Sequence, residues 1–203
     1  TGYGDGGWYV YAEATNNPNE TYAIESDVIT GDISHFSFWY HMYGANIPNG
    51  ALVVKSSTNS GTSWTTLLTI DGEQHDSSSE SWTQAIAGSG SFTAVPSGTN
   101  KLRIEVKTGS TSFKSDSAID QIVVTYTPLP IISGGSAINS LNYNLYSQGG
   151  PSTSQSTTVS GSNLEGDITL TAPTNFEIST DNSTFLSSLT LGQSGGSVNS
   201  TSI

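Results

Sequence analysis

The sequence predicts an all-β protein of two β-sandwich domains, and three observations carry that reading. The run HFSFWYHMYG (His35–Gly44) alternates with a period of two, the period of a strand. No stretch of the chain shows a convincing helical period. ThrProLeuPro (Thr127–Pro130) breaks the pattern, and from Ile131 to Ile203 there is no Lys, Arg, His or Trp. With 203 residues, two domains of residues 1–127 and 128–203 each have enough chain to bury a core.

The elements follow in order. Glycines precede Trp8–Tyr11, a turn entering a strand that ends before Asn16; Tyr22–Ile24 with Val28 and Ile29 form a second strand, and Thr30–Asp32 a loop. In the central strand Phe36, Phe38, Tyr40 and Met42 face one side, and Ser37, Trp39, His41 and Tyr43 the other. Neither side is plainly solvated, so this strand is expected to be covered on both. Ala45–Gly50 is turn chemistry, and Ala51–Lys55 alternates again. Ser57, Asn59, Gly61 and Trp64 have the spacing of an Asp-box hairpin, a structural motif, with Asn in place of Asp. Asp71–Ser81 is an acidic loop without the glycine and ligand spacing of an EF-hand, and it reads as solvated. Strands return at Trp82–Ile86, at Lys101–Lys107, where Leu102, Ile104 and Val106 alternate with charges, and at Ala118–Tyr126. In the second domain strands are expected near Thr157–Ser160, Ile168–Ala172, Phe176–Ser179 and Leu189–Leu191. The first domain's core is expected to hold Phe36, Phe38, Tyr40, Met42, Trp64, Leu102, Ile104 and Ile122, with Trp8 and Trp82 also buried.

Composition excludes several function classes. Charged residues are only 11%, and low charge with many hydroxyls and glycines is usual for extracellular all-β modules. A net charge of -12 argues against nucleic acid or an anionic membrane as the partner, because phosphate binding needs clustered Lys and Arg. With no cysteine there is no disulfide framework, zinc thiolate or thiol nucleophile, and bacterial secretion is the easier reading. No apolar stretch approaches the ~20 residues that span a bilayer. No charged and then apolar leader opens at Thr1, so the expectation is a removed signal or an excised segment.

Catalytic patterns are not found. His35, His41 and His75 are too few and too scattered for a triad, and no spacing marks a pair of facing carboxylates. The chain is read as non-enzymatic. Aromatic platforms are the other chemistry that this composition allows, since a sugar ring stacks its C–H face on Trp or Tyr. Trp39, His41 and Tyr43 share one face of the central strand, with Lys101 and Arg103 expected on the same sheet as a ligand-binding set. The competing reading is that these aromatics fill a second packed layer. Lys101, Arg103, Lys107 and Lys114 form a cationic strip, read as edge protection or as a sulfate or carboxylate contact.

Several of these pieces resemble a family. Gly6–Ala14, Phe38–Gly44, Gly50–Val54, the Trp64 hairpin, Trp82, Leu102–Val106 and Ser115–Ile122 follow one another as in the bacterial MAM domain, a jelly-roll β-sandwich of adhesion receptors and secreted proteins. The resemblance covers Gly2 to about Tyr126. It departs at Gln121, where the family has a second acid, and it implies that the family's first strand lies before Thr1. SGSNLEGDITLTAPTNFEIS with Ser188–Leu191 is similar to the immunoglobulin-like repeats of proteins exported by the bacterial type IX pathway, which continue with another strand past Ile203.

The resemblance implies a non-catalytic adhesion or spacer segment of a large secreted or cell-surface bacterial protein. The alternatives are a carbohydrate-binding accessory module of a polysaccharide-degrading enzyme, and accessory domains of a secreted protease or nuclease. Expected partners are a cell-surface glycan, a polysaccharide or a protein, and neighbouring domains of a longer chain, with no nucleic acid and no membrane insertion. It also implies a structural cation, calcium or alternatively sodium, held by Asp120, Asp5 and the carbonyl of Gly7. The competing reading has Asp120 accepting backbone amides. Asp116–Ala118 resembles a bacterial O-glycosylation signal centred on Ser117, and otherwise reads as an ordinary turn.

Overall fold

The computed structural model describes residues 2–4, 7–111, 113–139 and 153–203. Among them every regular element is a strand. Contacts divide the chain into Thr1–Pro128 and Leu129–Ile203.

The first unit contains β1 (Val10–Ala12), β2 (Thr21–Glu25), β3 (Gly31–Tyr43), β4 (Leu52–Ser57), β5 (Thr65–Ile70), β6 (Thr83–Ile86), β7 (Lys101–Lys107) and β8 (Asp116–Pro128). They form two four-stranded antiparallel sheets, in the orders β1-β8-β3-β6 and β2-β7-β4-β5. The period of two in β3 places Phe36, Phe38, Tyr40 and Met42 against Leu52 and Val54 of β4 and Leu102 and Ile104 of β7, all nearly or fully buried. Each such side chain contributes roughly 1.5–3 kcal/mol on leaving water. Phe92 closes the cluster with edge contacts to Phe36 and Phe38. Gly44 ends β3 at φ 135°, where any side chain would overlap the Lys114 carbonyl.

Four expected core residues lie elsewhere. Trp64 follows the Asn59 turn onto the outer surface of the second sheet, where the Arg103 guanidinium stacks 4.1 Å above its ring. Ile122 is 42% exposed. It follows a bulge at Gln121 (φ 44°), where the β3–β8 register slips between Ser37 and Trp39 and the alternation read from sequence is broken. Trp8 is 98% exposed, because β1 begins only at Val10. Trp82 is half-buried on the outer face of β3. Val28 and Ile29 belong to no strand, and β3 already begins at Gly31.

The second unit has β9 (Ile131–Gly134), β10 (Thr158–Ser162), β11 (Ile168–Thr171), β12 (Ser188–Leu191) and β13 (Val198–Ser202). The strand orders are β13-β10-β9 and β11-β12. Ile168, Leu191 and Val198 are buried, packed with Val159, Leu164, Leu170, Leu189 and Ile203. The expected strand at Phe176–Ser179 reduces to one bridge, Ile178 to Leu186. Its place is taken by a turn in which Asp181 Oδ1 accepts the amides of Ser183 (2.8 Å) and Thr184 (2.7 Å). The Asn59 turn uses the same chemistry: Asn59 Oδ1 accepts Ser63 N–H at 2.9 Å, and Ser57 Oγ accepts the amides of Asn59 and Gly61.

Candidate functional site on the outer face of β3

Alternation that turns Phe38 inward turns Trp39, His41 and Tyr43 outward, and the flanking turns then cover two of the three. Tyr3 lies on Trp39 with ring centroids 3.6 Å apart and planes 14° apart. This places Tyr3 N–H 2.7 Å from Asp120 Oδ2, and Asp120 is the cross-strand partner of Trp39 on β8. His41 stacks on His75 at 4.2 Å and meets Trp82 at 5.7 Å. Burial and the neighbouring His75 hold the His41 imidazole below its ordinary pKa, with Glu80 pulling the other way.

His75 is fully enclosed, and its hydrogen bonds fix its tautomer. Met42 N–H donates to Nδ1 at 3.0 Å, so Nδ1 carries no proton and Nε2–H faces Thr83 Oγ1 at 3.2 Å. The amides of Gln74 and His75 both donate to Met42 O at 3.0 Å. The acidic loop Asp71–Ser81 is therefore anchored to the end of β3 through its histidine. Sequence reasoning missed this role, although a histidine midway along a polar loop was its one available signal. Tyr43 stays 43% exposed. Tyr11 on β1 and Tyr9 just before it add a second exposed pair, with Tyr9 5.6 Å from Trp82.

Lys101 and Arg103 do not join this face. They stand on β7 in the opposite sheet, because β3 pairs with β8 and β6 and never with β7. There Glu25 binds Lys101 at 2.6 Å and Arg103 at 2.5 Å, and Glu105 binds Lys55 at 2.6 Å and Arg103 at 3.1 Å. Hydrogen bonds from Lys101 and Arg103 lower the Glu25 pKa. Burial pushes Glu105 up, but Lys55 and Arg103 outweigh it and hold it low. Lys55, Lys101 and Arg103 with Glu25 and Glu105 thus form an ion-pair ladder, which takes in two of the four residues of the expected cationic strip and leaves out Lys107 and Lys114.

Ser117 also departs from expectation. It sits within β8 opposite Met42, fully buried, and its hydroxyl has no hydrogen-bond partner. A buried strand hydroxyl is neither a turn nor accessible to a glycosyltransferase. Of the expected cation ligands, Asp5 lies outside the described residues. Asp120 accepts Tyr3 N–H on Oδ2 and Gln121 N–H on Oδ1, each at 2.7 Å. Gly2 packs between that carboxylate and the Gly7 carbonyl: a methyl group added to it would stand 2.6 Å from Asp120 Oδ2 and 3.1 Å from Gly7 O.

The MAM domain model (meprin/A5/mu) matches residues 1–128, the whole of this sandwich. The chain belongs to the MAM domain family. MAM domains are non-catalytic all-β jelly-roll modules of the adhesion type, found in extracellular or surface proteins. The family match ends where the first unit ends, at Pro128. Donor chemistry at Asp120 and Gly7 is all oxygen, which suits a hard cation. Even with both carboxylate oxygens, these three fall short of the six to eight that calcium takes, and no cluster of three or more metal-ligating side chains exists among the described residues.

Proposed function

We propose that this chain is a non-catalytic adhesion segment of a large secreted or cell-surface bacterial protein, with the second unit as its spacer. The family match over the first unit is the observation that carries the reading. The side chains with the most chemical potential support it, because each is already engaged by the fold: His75 holds a loop, His41 and Trp39 are capped by rings, and Lys101 and Arg103 are neutralised. The second unit is an immunoglobulin-like repeat of the kind carried by type IX-exported proteins, a reading supported by its short strands and by the SGSNLEGDITL stretch. Beads coated with the full chain should be retained on cell or polysaccharide surfaces. Retention no better than that of albumin-coated beads would defeat the adhesive role.

A weak hard-cation site belongs to the same proposal, calcium first and sodium second, with Asp120 and the Gly7 carbonyl as ligands. Millimolar calcium should raise the melting temperature of metal-stripped protein, and Asp120→Ala should abolish the rise. An unchanged melting temperature, or an equal rise in the variant, counts against the site.

A further inference from the structure

At the sandwich edge formed by β5 and β6 the two sheets do not close on one another. A cleft of about 380 Å³ opens there, within the size range of small-molecule sites. Its apolar wall is Tyr40, Leu68, Ile70 and Phe92, all buried in the core. Structure defines both ends. At one, the segment after β6 crosses between the sheets, with Ala87 N–H donating to Phe36 O and Thr93 N–H donating to Leu67 O, both at 2.9 Å. At the other, Asp71 is fixed through Oδ1 by the Gly50 amide at 2.5 Å, and Gln74 donates to the Asp71 carbonyl at 2.8 Å.

Around this floor stand polar groups that the fold does not use. The Gln84 amide and the hydroxyls of Ser89 and Ser91 line the cleft and make no hydrogen bond within the described residues, and the Asp71 carboxylate keeps Oδ2 free. Donors and acceptors are thus mixed, and among the described residues that line the cleft one carboxylate is the sole charge. None of them is Lys or Arg, so an anionic ligand would meet Asp71 uncompensated. A lone carboxylate without an aromatic cage is also poor recognition for a cation. Mixed amide, hydroxyl and carboxylate groups around a base whose apolar side chains are all but buried match the hydroxyl rim of a sugar ring.

We infer that the β5–β6 cleft binds one or two rings of a neutral oligosaccharide. This goes beyond the adhesion reading, because it names a ligand class and a site that the family assignment does not contain. Gln84 and Asp71 supply the orienting hydrogen bonds, and Ser89 and Ser91 the opposite rim.

The test is an amide NMR titration of the full chain with neutral disaccharides (cellobiose, maltose, lactose and xylobiose), with a sulfated disaccharide as the charged control. At least one neutral sugar should shift the amides of Gln84, Ser89–Phe92 and Asp71–Gln74, and the sulfated one should not. Gln84→Ala should weaken binding about fivefold, the size of one lost hydrogen bond. Ser91→Arg, on an exposed turn, should fill the cleft and abolish the shifts at an unchanged melting temperature. The proposal is overturned if no neutral sugar moves these amides up to about 50 mM, a ceiling that still registers a Kd of about 10 mM or somewhat weaker. It is also overturned if the shifts survive in Ser91→Arg or appear only at Tyr9, Tyr11 and Trp82. The bead assay reports on adhesion separately, so a failed titration removes the cleft and leaves that reading in place.

Discussion

On one outer face of the MAM sandwich Tyr3 lies flat on Trp39 and His41 on His75; on the other, Arg103 lies over Trp64 between the carboxylates of Glu25 and Glu105. Both sheets turn a tryptophan outward, and each covers it by different means. The first face recruits rings from a turn and a loop, which removes imidazole from water. The second uses a neighbouring side chain of its own sheet, which leaves the charges partly exposed and paired. Coverage by loops makes a face sensitive to protonation, whereas coverage by an ion-pair ladder makes it sensitive only when the acids themselves titrate.

Phe38→Ala should have the largest effect, because that ring is fully buried beneath both faces. A loss of about 3–5 kcal/mol is expected in denaturant unfolding. If the two faces unfolded at separate denaturant midpoints, the shared core would not be what joins them. Tyr3→Leu should then cost about 1 kcal/mol through lost stacking, against about 0.5–1 kcal/mol for Arg103→Met, which keeps the stem and removes the cation. Equal sensitivity of the two variants to 1 M salt would contradict the contrast, since only the Arg103 contact is electrostatic.

The smallest effect concerns pH. His41 has a folded pKa below its ordinary value near 6.5, so the unfolded chain binds more protons as pH falls. Stability from this group is complete above about 6.5 and declines as pH drops toward the lowered folded value. The ladder behaves alike in sign but in another window, because Glu25 and Glu105 lie below their ordinary 4.5 and keep their contribution until pH falls under it. Between pH 7.5 and 5.5 the melting temperature should therefore fall in the parent and less in His41→Phe, with Glu25→Gln falling like the parent. Parallel curves for the parent and His41→Phe would dismiss the imidazole stack as the cause.

What the sequence made legible depended on period. Phe36, Phe38, Tyr40 and Met42 could be assigned inward because β3 keeps strict alternation through them. Ile122 could not, because the extra residue at Gln121 is invisible to a period-two reading. Trp64 faces outward because the Asn59 turn and the register slip between Val54 and Lys55 decide the face of β5, and neither shows in the apolar pattern. The sheet that would carry Lys101 and Arg103 was likewise undecidable, since strand order is a non-local property. β13 (VNSTS) has too few apolar residues to signal a strand. Its polar side chains are tolerated because Val198 alone reaches the core. The turn at Asp181 could have been found, since Ser179 and Asp181 repeat the spacing of Ser57 and Asn59.

That repetition bears on chemical ageing. Asparagine deamidates when the amide nitrogen of the next residue attacks its side-chain carbonyl, and an Asn-Ser pair in a turn is an ordinary place for it. At Asn59 the nitrogen in question, Ser60 N, is held by Asn100 Oδ1 at 2.9 Å, so the nucleophile is occupied. Were hydrolysis to proceed to aspartate, the product would be the carboxylate already present at position 181, where amides of Thr184 and Ser183 hold the pKa down to about 2. Oδ1 would continue to accept Ser63 N–H, and the loss would be the single hydrogen bond that Asn59 Nδ2 donates to Ser63 Oγ. The first turn can therefore age into the chemistry of the second without coming apart.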